Sequence, residues 1–261
     1  IREILFNVKL VKFTTGDTVS ADELVQANRD PKEGSMFLVK RTKEQEKQLD
    51  QYGEAEGRAL AKSLLDMQTN LRATEMINEI MVENGIKTKL EMEQKVFEDY
   101  FDHFDGYMDN SNVILEDLGD EELAGRLESR MEKFRGVIES HQLGEDEYSF
   151  VHGNINFDSV RYSKDGRAYL SDWQRAGKTQ NRELSLIYDL GNAFQEAVEK
   201  LDAVQAEKFI NGVQAEVRAH YKDQPEVAEA IINLTQLRSF SITLNEVKDE
   251  KRAFVLRSLG E

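Results

Sequence analysis

The side chains best suited to chemistry lie between positions 148 and 173, where His152, Gly153, Asn154, Asn156, Asp158, Ser159 and Asp172 follow closely on one another. Side chains of these types can converge on one polar ligand. The Asp172 carboxylate is a hard oxygen donor suited to a cation, although an Asp at a strand end is also an ordinary surface residue. Asn154 can orient a hydroxyl, but its amide does not accept a proton as a carboxylate does. Asp158 has the right group to act as a base or ligand, and equally suits a turn cap. His152 admits an acid–base or metal role, or more simply a structural one. The other histidines, His103, His141 and His220, are widely spaced and form no ligand pattern. With no cysteine in the chain, disulfides, thiolate nucleophiles and cysteine-ligated zinc are excluded.

The elements around this stretch must position it. An apolar approach ends at the His152-Gly153 corner, and two β-rich runs flank Lys164, Asp165 and Gly166, which suit a hairpin turn. Asp172 follows the second run, so the hairpin is expected to bring it to the same end of a small sheet as the His152 loop. Upstream, apolar–polar alternation from Phe6 to Phe13 predicts a strand, and Ser20 with Glu23 forms a capping-box pattern for a short helix to Asn28. A second strand runs from Ser35 to Arg41 and carries Lys40. Residues 43–66 have helical composition, and residues 73–84 follow the helical period with Gly85 as a C-cap. Residues 88–107 fit either an amphipathic helix or a strand through 95–101. Further helices are expected over 120–140, 184–199, 202–220 and 226–248, the last opening at Pro225.

Length and composition suit a soluble globular protein with a substantial core, since 39% of the 261 residues are hydrophobic and 32% charged. No run approaches the apolar length of a membrane span. The excess of 50 acidic over 34 basic residues gives a net charge of -16. That charge repels a phosphate backbone, which argues against nucleic acid, and attracts cationic small molecules or basic partners.

The segment from His152 to Trp173 resembles the catalytic and metal-binding segment of the aminoglycoside phosphotransferase and choline kinase group. His152, Gly153, Asp172 and Trp173 match its pattern, while Asn154 stands where that group has a catalytic Asp and Ser159 where it has a metal-binding Asn. The resemblance implies an α+β, bilobal protein-kinase-like fold: a small mixed β/α N-terminal lobe over 1–112, a hinge at 113–119 and a larger, mainly helical C-terminal lobe over 120–261.

It also implies roles for single residues. Lys40 would hold ATP phosphates and Glu56 would hold Lys40; Glu116 and Leu118 would offer hinge backbone to the adenine; Asp172, with Ser159, would hold magnesium. Asn154 would face the acceptor hydroxyl, with Asp158 as the substitute base. Asp189, in the helix start near Tyr188 and Gly191, would brace the loop. The function expected on this basis is ATP-binding phosphotransferase-like, acting on a hydroxylated or cationic small molecule with weak or lost turnover. Its alternative is a catalytically inactive pseudokinase serving as a binding or scaffold module, with a basic protein partner. A cytoplasmic location is the expectation in either case.

Overall fold

The computed structural model describes residues 11–12, 17–18, 52–69, 121–141, 143, 149–162, 166–170, 177–179, 181–244 and 249–260. Six helices make up most of them: α1 (Glu54–Thr69), α2 (Glu121–Glu139), α3 (Arg182–Lys200), α4 (Ala203–His220), α5 (Pro225–Leu244) and α6 (Asp249–Gly260). The short strands are β1 (Val11–Lys12), β2 (Asp17–Thr18), β3 (Ser149–Val151), β4 (Val160–Tyr162), β5 (Ala168–Leu170) and β6 (Gly177–Thr179).

Local chemistry accounts for the helix starts. In α1, Glu56 turns back so that its Oε2 accepts the Gly53 N–H at 2.9 Å, and both Glu54 and Glu56 lie in the first turn, where the helix dipole favours negative charge. The N-cap of α3 is Asn181, whose Oδ1 accepts from the Leu184 N–H at 2.8 Å while its Nδ2 donates to the Ile138 carbonyl at 2.9 Å. One side chain thus starts α3 and ties down the end of α2. Asp202 caps α4 through the Gln205 N–H.

Packing centres on α3 and α5. Leu184, Leu186, Ile187, Leu190, Ala193, Phe194, Ala197 and Val198 are all buried, too wide a spread for one surface-helix stripe, so α3 is surrounded. Against it lies α5, which also touches α2, α4 and α6. Two of its buried polar residues tie it into the bundle: Ser239 Oγ donates to the Gly191 and Thr235 carbonyls, and Arg238 Nη2 donates to Asn192 Oδ1 at 2.9 Å. At the crossing of α1 and α4 the two backbones come into contact. A Cβ on Gly57 would overlap the Phe209 carbonyl, and one on Gly212 would overlap the Glu54 carbonyl. Only glycine at both places lets the two backbones touch.

This architecture corrects the expected α+β, bilobal protein-kinase-like fold. Among the described residues, strands occur only as three separate two-stranded ladders, β1–β2, β3–β6 and β4–β5, each strand two or three residues long. An isolated two-stranded ladder is marginal by itself and makes no lobe. Instead of supporting a sheet, α1 packs along α4 and touches α3, β3, β4 and β5. The described residues therefore form a helical body with small ladders attached to it. The resemblance to aminoglycoside phosphotransferases and choline kinases is local, and does not extend to the fold. The functions that depended on that fold fall with it, both the ATP-dependent phosphotransferase and its inactive pseudokinase counterpart, because a nucleotide held between two lobes needs the sheeted lobe. What the local pattern does capture is the antiparallel β4–β5 pairing, with Val160 opposite Leu170 and Tyr162 opposite Ala168.

Candidate binding loop

Between β3 and β4 the chain runs through residues 152–159 as a loop whose outward and inward side chains alternate. Ile155 and Phe157 are buried, Asn154 and Asn156 half-buried, and Asp158 exposed. Phe157 sits over Tyr52, with ring centroids 4.3 Å apart, and meets Phe209 of α4 edge-on at 5.6 Å. Aromatic contact anchors the underside of the loop to α4 and to the chain just before α1.

Its first turn depends on Gly153, which takes φ +79°, a left-handed conformation that costs most other residues energy. That turn is held from α3. Asp189 accepts the His152 N–H at 2.8 Å on Oδ2 and the Gly153 N–H at 2.9 Å on Oδ1. Burial pushes the Asp189 carboxyl up to about 7, against the pull of the two N–H groups and of the nearby Arg238 charge. Glu196, two turns further along α3, takes the Phe157 N–H. Its carboxyl is also raised, chiefly by burial, with Glu199 and Asp158 adding to the rise and Lys200 and the Phe157 N–H opposing it.

Within the loop, Asn156 and Ser159 hold the chain to itself. Asn156 Oδ1 accepts from the Asp158 and Ser159 N–H groups, both at 2.9 Å, and its Nδ2 donates to the Asn154 carbonyl at 3.1 Å. The buried Ser159 hydroxyl lies 3.0 Å from the Asn154 carbonyl and 2.9 Å from that of Asn156, and accepts the Asn156 N–H at 3.0 Å. The fully buried His152 ring accepts the Asn154 N–H on Nδ1 at 3.4 Å. A loop of this length cross-linked at so many points presents a fixed surface.

The structure thus brings together Asn154, Asp158 and Ser159 of the residues singled out from sequence, and gives Asp189 the bracing position expected of it. Ser159 serves the loop's interior and Glu56 its own helix cap. Lys40, Glu116, Leu118 and Asp172, assigned by resemblance to ATP and magnesium, lie outside the described residues. Among the described residues, no group of three or more His, Asp or Glu is placed to hold a metal ion, and no helix is long and apolar enough to cross a membrane. Sequence reasoning missed Glu196, whose only signal is its place seven residues after Asp189 on the same helix face. Comparison of the chain with protein-family models, curated proteins and solved structures returns no match.

Proposed function

We propose that the protein is a helical recognition module that engages a basic protein segment through the 152–159 loop. The observation that carries this reading is the Asp189 brace. A carboxylate that is fully buried is costly to keep, and here both of its oxygens serve to fix two consecutive N–H groups of one surface loop. Rigid presentation lowers the ordering cost of binding. The loop's exposed end carries Asp158, in the electrostatic neighbourhood of Glu196 and Glu199, on a chain of net charge -16. A cationic segment relieves that repulsion and is drawn in over long range.

Titration calorimetry with an oligolysine peptide tests the reading, provided local and general attraction are separated. Binding should weaken as salt rises. Asp158→Asn and Asn154→Ala should weaken it at least about five-fold, or roughly 1 kcal/mol, while the surface control Glu226→Gln at the start of α5 leaves it nearly unchanged. Equal losses in Asp158→Asn and Glu226→Gln, with none in Asn154→Ala, would mean that the peptide senses net charge rather than the loop.

A further inference from the structure

We propose that Asp189 is a proton-operated latch on the 152–159 loop: ionised, it holds the N–H groups of both His152 and Gly153, and protonated, it lets one of them go. The proposal rests on the loop being the binding element, and adds its regulation. Geometry supplies the device. The two bonds, 2.8 and 2.9 Å long, fall on different oxygens of one carboxylate, so a proton arriving from solvent on either oxygen replaces a charged acceptor with a neutral hydroxyl that holds its N–H far more weakly. The freed N–H lies at the Gly153 turn, where the chain reverses out of β3. The other end of the loop keeps its own tethers, in Ser159, Asn156 and the buried Phe157 ring.

The surroundings set where the proton binds. Burial disfavours the ionised form and brings the carboxyl to about 7. From α5, Arg238 favours ionisation. From the loop side come the two N–H groups, while the titratable His152 imidazole is turned to the Asn154 N–H. From α1 the polar neighbour of α3 is the neutral Gln68, bonded to Ser185. Protonation relieves the burial of a charge in the helical body, so acid loosens the loop without unfolding its support.

Carbon-detected NMR of the intact chain from about pH 8.5 to about pH 5.5 reads the latch directly. The Asp189 carboxyl carbon and the His152 and Gly153 amides should titrate together with a midpoint near 7. On the acid side, exchange protection of one of these two amides, corrected for the intrinsic rate, should fall about ten-fold or more, the scale of a lost bond to a charged acceptor. In Asp189→Asn the amide titration should vanish; should that variant fail to fold, the wild-type carboxyl signal still decides. A carboxyl carbon that stays ionised throughout, or one that titrates while the amides do not respond, overturns the proposal. So does an amide titration that follows the His152 ring instead. Oligolysine binding is measured separately at about pH 8, where the latch is closed, so its absence there counts against the recognition reading alone.

Discussion

Asp189 and Glu196 stand two turns apart on α3 and take backbone N–H groups from opposite ends of one loop, His152 with Gly153 at the start and Phe157 near the finish. The loop is thereby laid along the helix rather than standing away from it. Both carboxyls are raised by burial, against the pull of these N–H groups, so the packing that covers the two side chains makes the molecule sensitive to pH.

The sign of that sensitivity follows from the Asp189 values. Its folded-state carboxyl titrates at about 7, against an ordinary 3.8, so the folded chain keeps a proton that the unfolded chain gives up. Its contribution to stability is fully present below the lower value and lost as pH rises through the upper one. Compared with Asp189→Asn, the wild type should lose roughly 1.4 kcal/mol per pH unit across that window and level off above it. Glu196 acts in the same direction. Urea unfolding midpoints of both proteins at several pH values measure this, and a difference independent of pH would refute the shift.

Arg238 links α5 to the same carboxylate. Its guanidinium lies 4.7 Å from the centre of the Tyr188 ring and donates to Asn192 Oδ1, while its charge lowers the Asp189 carboxyl. Arg238→Met should therefore raise the Asp189 midpoint further, and should destabilise the fold by about 1–3 kcal/mol through lost hydrogen bonds. Arg238→Lys keeps the charge but not the planar fork, so it should move the midpoint less than Met does. The Asp189 carboxyl carbon, followed by NMR in each variant, tests the order.

At the α1–α4 crossing, Gly57→Ala and Gly212→Ala should each destabilise by about 1–3 kcal/mol even though alanine favours helix by about 1 kcal/mol. The added methyl meets backbone rather than a flexible side chain, and the helices must separate. Since one separation accommodates both methyls, the double variant should cost less than the sum of the two singles. Urea unfolding of the three proteins measures the cycle, and simple additivity would show that the two contacts yield independently.

By itself the sequence determined what local rules govern. Periodicity, caps and breakers placed helices at 120–140, 184–199 and 202–220, within a few residues of α2, α3 and α4. The β-rich runs on either side of Gly166 announced the β4–β5 hairpin, and the polar side chains after the His152-Gly153 corner announced a loop. The helix predicted over 43–66 is described from Glu54 onward and extends to Thr69; the strands predicted near Phe6–Phe13 and Ser35–Arg41 lie mostly or wholly outside the described residues.

Only the tertiary structure decided what these pieces build. A loop motif matching a phosphotransferase segment says nothing of the layer above it, because neighbouring bonds determine a hairpin whereas partners far along the chain determine a lobe. In the same way Gly57 and Gly212 are 155 positions apart, and nothing local in either helix tells that they meet. Glu196 resembles any other helical Glu until α3 lies beneath the loop. Burial makes the difference, since desolvation turns the Asp189 side chain from an ordinary carboxylate into one that titrates near 7, and desolvation is a property of the packed chain rather than of the residue.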